Sequence, residues 1–229
     1  VLRPARGFLA DVHRAIRRAG GDLNKLAGKG KVSGRYNARG RGVKVAAALK
    51  GRNQWSRSAD GTRTRARRVT VKARIVKLNP QRGAARGRSF VSGKAVDAHL
   101  RYLQRDGVTL DGEKGQVYAR DDDVADGCGF LDRGREDRHQ FRFIVSAEDG
   151  AELDDMRQTN RDLMSQMEVD LQTKLDWIAV DYYNTGHPHS HIIVRGVTDD
   201  AKILNIAGDY IAHGIRERAS DVVTLELGR

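Results

Sequence analysis

Trp177-Ile-Ala-Val-Asp-Tyr-Tyr-Asn-Thr-Gly-His-Pro-His-Ser-His-Ile-Ile-Val-Arg195 is the stretch that decides the fold of this 229-residue chain. Residues 177–182 and 189–195 read as strands, and the Gly- and Pro-containing loop between them makes an antiparallel pair the simplest arrangement. Side chains alternate along a strand, so His189, His191 and Ile193 share one face while Ser190, Ile192 and Val194 take the other. Outward from this pair, His139 to Val145 reads as a third strand with His139, Phe141, Phe143 and Val145 on one face. Val69, Val71, Ala73 and Ile75 alternate with Thr70, Lys72 and Arg74, a strand with a basic outer face. Ser92 to Arg105 has helical spacing, with Val96, Leu100 and Leu103 as the buried stripe and Gly107 as its stop. Ser146-Ala-Glu-Asp149 resembles a capping box for a second helix carrying Leu153, Met156, Leu163, Met167 and Leu171. Asp209 is expected to cap a third, ending near Ala219. Strand, helix, strand, loop, strand, helix gives an α+β fold, an antiparallel sheet packed with helices.

The charge is divided unevenly along the chain. Residues 1–90 carry 25 Lys and Arg against three Asp, a net +22, whereas 91–229 carry 17 against 27 acidic residues, a net −10. The first part is therefore expected to be a flexible basic arm over residues 1–67, with a short helix near 8–19 and loop or disorder from Gly28 to Arg68 apart from Val43 to Leu49. An arginine-rich connector follows at 79–88, and the folded domain is expected over 68–229. A cationic arm of this kind suits a polyanion partner, because binding releases condensed counterions; a solvated tail is the plainer alternative. Cys128 is the single cysteine, which excludes a disulfide framework and fits a reducing compartment. No apolar run is long enough to span a membrane. A first residue of Val and an end at Arg229 read as a piece excised from a longer protein.

The paired imidazoles carry the chemistry. His189 and His191 on one strand face form a clamp for a divalent ion, and His187 at the loop mouth is either a third ligand or a phosphate contact. Imidazoles accept Zn, Ni or Mn in vitro, whereas phosphoryl transfer in a cell favours Mg or Mn by availability. Tyr102 lies one position off the Val96/Leu100/Leu103 stripe, with His99 a turn before it and Asp106 a turn after. It is either a core-edge residue that keeps its hydroxyl wet or a nucleophile, since a phenol near a metal and cations attacks as phenolate. Arg101, Arg105, Arg142 and Arg195, with Arg86 and Arg88 of the connector, are candidates to position phosphates, or else solvated surface charges.

Taken together, Ser146, the Asn184-Thr-Gly-His-Pro-His-Ser-His191 run and the Ala98-His-Leu-Arg-Tyr-Leu-Gln-Arg-Asp-Gly107 helix resemble the relaxases, or mobilisation nucleases, of conjugative elements. The resemblance is to the T-DNA-border-nicking type within the His-hydrophobic-His endonuclease superfamily, and it covers roughly residues 68–229. It implies that Tyr102 is the nucleophile and His189 and His191 the metal pair. The implied reaction is a nick in single-stranded or melted origin-of-transfer DNA through a 5′-phosphotyrosine. Accessory nicking proteins, a type IV secretion coupling protein and a bacterial cytoplasmic location follow from the same resemblance. The chain departs from the pattern at one position: such relaxases commonly have a further histidine on the preceding strand, where this chain has Tyr182. Either Tyr182 or His187 then serves as the third ligand, or the metal is held more weakly. Asp181 is either an outer-sphere acceptor that orients a ligand imidazole or a turn-initiating residue. Two other readings remain open: a histidine-triad nucleotide hydrolase, and a nucleic-acid-binding module without catalysis. Pro188 and Ser190, where that hydrolase motif calls for apolar residues, and the basic flank weigh against the hydrolase.

Overall fold

A computed structural model of the chain describes residues 35–36, 38–49, 55–57, 63–78, 91–106 and 108–228. The expected helix at 8–19, the 79–88 connector with Arg86 and Arg88, and Gly107 lie outside the described residues. The compact unit Gly34–Arg229 is α+β. In chain order its elements are β1 (Arg35–Tyr36), α1 (Ala38–Leu49), β2 (Trp55–Arg57), β3 (Arg63–Arg65), β4 (Val69–Lys77), α2 (Gly93–Leu103), α3 (Gly127–Arg133) and β5 (His139–Ala147). A 3-10 turn at Gly150–Glu152 leads to α4 (Met156–Leu171), β6 (Trp177–Tyr182), β7 (His189–Arg195) and β8 (Ile203–Leu204), then a π-helical turn at Tyr210–Gly214 and α5 (Ile215–Leu227).

Four strands form the main antiparallel sheet in the order β4-β5-β7-β6. Alternation divides its side chains between two cores. On one face Phe141, Phe143, Trp177, Ala179, Ile192 and Val194 cluster with Leu163, Met164, Met167 and Leu171 of α4 and Ile215, Ala219 and Val223 of α5. On the other, Ile178, Val180, Tyr182 and Ile193 cluster with Val96, Leu100 and Leu103 of α2 and Phe130 and Leu131 of α3. Each large apolar side chain removed from water in this way contributes about 1.5–3 kcal/mol, so both faces of β6 and β7 are firmly held. The second core stops short of β4, where Thr70, Lys72 and Arg74 are exposed and Arg142 and Ile144 of β5 are half-buried. That corner of the sheet is open to solvent. β4 is an edge strand, and its lysines and arginine discourage pairing with another chain.

Four local expectations are corrected. β5 runs on to Ala147, so Ser146 is part of the strand, its hydroxyl donating to Pro188 O at 3.2 Å. The cap of α4 is Asp155, whose carboxylate accepts from the Arg157 and Gln158 amides at 2.8 and 3.2 Å. Asp209 makes no side-chain cap, and the π turn it precedes leads into a helix that runs to Leu227 rather than ending near Ala219. Finally, residues 38–49, expected to be loop except at 43–49, form helix α1, with Gly42, Ala46 and Leu49 buried. Small residues make this packing feasible: a Cβ at Gly42 would lie 3.1 Å from Tyr210 Cβ and 3.2 Å from Ala207 Cβ.

Candidate active site

The imidazole pair sits where the covered and open parts of the second face meet. In the ladder His189 lies opposite Tyr182, and His191 lies between Val180 of β6 and Ile144 of β5. The two rings are 5.3 Å apart between centroids; the Tyr182 ring stacks on His189 at 5.2 Å and meets His191 at 4.7 Å with the planes tilted by 54°. His189 Nδ1 lies 3.2 Å from His187 O and 3.3 Å from Thr185 Oγ1, which itself donates to His187 O at 2.7 Å. With the Nδ1 proton on that carbonyl, Nε2 is left as the lone-pair nitrogen, the tautomer a metal-binding imidazole needs. Burial, then the basic neighbours His189, His99 and Arg105, pull His191 down to about 4, so its ring is neutral at physiological pH.

Helix α2 delivers Tyr102 to the same place. The buried stripe Val96, Leu100 and Leu103 fixes the helix against the sheet, and Tyr102, one position off the stripe, is 56% exposed. Arg105 joins the two sites: its guanidinium carbon lies 4.4 Å from the centre of the Tyr102 ring and 4.7 Å from that of Tyr182. Arg105 Nη1 also donates to the Tyr182 hydroxyl at 3.1 Å. The phenol and the imidazoles therefore belong to one cluster, linked by one arginine and one tyrosine ring. Arg101 is exposed beside Tyr102.

Tyr182 has a different part from the one its position suggested. Its hydroxyl donates to Leu103 O at 2.9 Å, one of the carbonyls left over at the end of α2, and burial raises its pKa. The oxygen is thus committed to holding the Tyr102 helix, and the ring rather than the oxygen meets the imidazoles. His187 is exposed and helps to line a cavity of about 460 Å³ whose other walls include Arg68, Thr70, Lys72, Ser146 and His189. Among the described residues no group of three or more His, Cys, Asp or Glu is arranged to hold a metal. His189 and His191 are the residues that would hold a divalent ion, as a donor set of two imidazoles.

Asp181 and Arg195 do not serve the site. Asp181 pairs with Ser190 in the ladder and points to the opposite face, where its Oδ1 accepts from Tyr118 (2.7 Å) and Ser190 (2.6 Å). It therefore cannot orient the ligand imidazoles; it is a buried network residue whose pKa burial raises. Arg195 is locked in a fork on Asp137 at 2.8 and 2.9 Å and also bonds Asp176 at 3.1 Å, which leaves it no capacity for a phosphate. Arg142, by contrast, makes no ion pair among the described residues. Burial and then the neighbouring Arg74 lower it to about 10. His99, on α2 one turn before Tyr102, is held down at about 4 by burial and then by Arg142 and Arg74. Sequence reading noted His99 and Arg74 but gave neither a role; the parity of β4 and β5 and the α2 period put them on this face. Compared with protein families, curated proteins and solved structures, the chain finds no match.

Proposed function

We propose that the chain is a DNA strand-transferase of the relaxase kind, with Tyr102 as nucleophile beside a divalent ion held by His189 and His191. The observation that carries this reading is Arg105, whose guanidinium lies over both the Tyr102 ring and the Tyr182 ring, which itself touches both imidazoles. The substrate is a DNA single strand. Tyr102 Oη attacks phosphorus, the P–O3′ bond breaks, the phenolic proton leaves Tyr102 and the departing O3′ gains one. The products are a 5′-phosphotyrosine and a free 3′-hydroxyl. One phosphodiester replaces another, so the strand can be rejoined by the reverse attack. Mg or Mn, when bound, supplies positive charge to a non-bridging phosphate oxygen. Arg105 opposes the negative charge that builds on the phenol oxygen and keeps the ring in place. Tyr182 anchors the end of α2, and the Thr185–His187 turn sets the His189 ring.

The test is polar by design. A single-stranded oligonucleotide library with a randomised core is incubated with the protein and Mn, labelled on its 3′ end in one arm and its 5′ end in the other. The 3′ label should become covalently attached to protein, and the 5′ label should appear in a shorter free fragment. Tyr102→Phe should give neither product. Adducts that persist in Tyr102→Phe, or that carry the 5′ label, would overturn the assignment.

A further inference from the structure

Arg74 of β4 and Arg142 of β5 are direct partners in the ladder. Like charges placed opposite one another on a sheet face repel and destabilise the pair. Nothing acidic offsets them among the described residues, since neither guanidinium makes an ion pair there. Their neighbours on this face are Lys72 on β4, Ile144 on β5, Ile193 and His191 on β7, and His99 on α2. Arg142 is nonetheless held in one pose. With its amide turned to satisfy both neighbours, the Gln140 side-chain oxygen accepts from Arg142 Nε and Nη2 at 2.7 Å each, and Gln140 is itself buried. A buried amide that orients an uncompensated, half-buried guanidinium beside a second one builds a receptor for an anion.

The position of the pair names the anion. In the ladder Arg142 lies opposite Ile193, two residues along β7 from His191, roughly 7 Å away along a strand. From the geometry we infer that Arg74 and Arg142 together grip a second, non-scissile phosphate of the same DNA strand, adjacent to the one at the histidine pair. The inference rests on the strand-transfer reading for its ligand. Two guanidiniums on one phosphate, Arg142 offering the Nη protons that Gln140 leaves open, fix the register and direction of the strand across the sheet, which a single contact at the imidazoles leaves free. They also account for a like-charge pair that folding alone would disfavour.

The test is binding without chemistry: a fluorescein-labelled thymidine pentamer, the full chain in a Tyr102→Phe background, and no divalent ion. Arg74→Gln and Arg142→Gln should each weaken binding about tenfold and reduce the slope of log affinity against log salt by about 0.7, the value for one phosphate on a single strand. The double variant should lose no further slope, because both arginines hold the same group. The thermal midpoint of free Arg74→Gln should equal or exceed that of its parent, since repulsion is relieved. Unchanged pentamer affinity and slope, or a fall of several degrees in the midpoint of exposed-edge Arg74→Gln, would overturn the proposal. Because no cleavage is read, failure of the nicking reaction would leave these values as they are.

Discussion

Tyr102 shows how one residue can be free to react yet firmly placed: its side chain is more than half exposed while its helix is pinned on either side by Leu100 and Leu103. Replacing it with Phe should leave stability within about 0.5 kcal/mol, so loss of adduct would report chemistry alone. Tyr182 gives a second prediction. Tyr182→His gives up the bond to Leu103 O and adds a third imidazole beside His189 and His191. The variant should therefore gain more thermal stability on addition of Mn than its parent does; equal gains would argue against metal at this face. Asp181 gives a third, of definite sign. Burial raises its pKa in the folded state, so its contribution is fully present below the unfolded value of about 3.9 and is lost as pH rises through the folded value. Urea unfolding of parent and Asp181→Asn should show the stability difference moving in favour of the variant as pH rises above about 4; a constant difference would contradict this. The parity of Asp181 was readable in advance, because a residue opposite Ser190 cannot share the face of His189. A turn-side Asp next to a histidine run suggested an outer-sphere role that alternation forbids.

At the scale of elements, the strands and α2 were legible because burial on one face writes a period of two or of 3.6 into the residues. Helix α1 was not. Its buried positions Gly42, Ala46 and Leu49 include a glycine and an alanine, chosen for close approach to Tyr210 and Ala207 rather than for hydrophobicity. The cap of α4 was misread because Ser146 of a plausible Ser/Glu/Asp cluster fell inside the extended end of β5, nine residues before the working Asp155. Ion pairs between elements leave no periodic trace at all. Arg195 on β7 binds Asp137, from the segment before β5, and Asp176, just before β6. Arg195→Ala would leave Asp137, 6% exposed, without its fork. We expect a loss on the order of 3 kcal/mol in unfolding free energy, with pentamer affinity unchanged for the folded fraction. A marked affinity loss with little destabilisation would instead return Arg195 to the DNA contacts.

Among the described residues, two apolar cores hold a sheet with an open corner that collects Lys72 and Arg74 from the basic first part of the chain and Arg142, His99 and the imidazole pair from the part that is net acidic. Overall charge therefore says little about where a polyanion would lie; the local surplus, created by β4 pairing with β5 next to β7, says more. None of the described helices is long and apolar enough to cross a membrane. The central claim is that this corner holds a divalent ion within reach of Tyr102. It is tested most directly by labelling the protein with 3-fluorotyrosine and titrating Mn while the fluorine resonances are followed. The account predicts that the Tyr102 and Tyr182 signals broaden first, that Tyr210 on the opposite face is spared, and that His189→Ala/His191→Ala abolishes the effect. A Tyr102 signal that stays sharp while Mn binds elsewhere, or broadening that survives loss of both imidazoles, would contradict it.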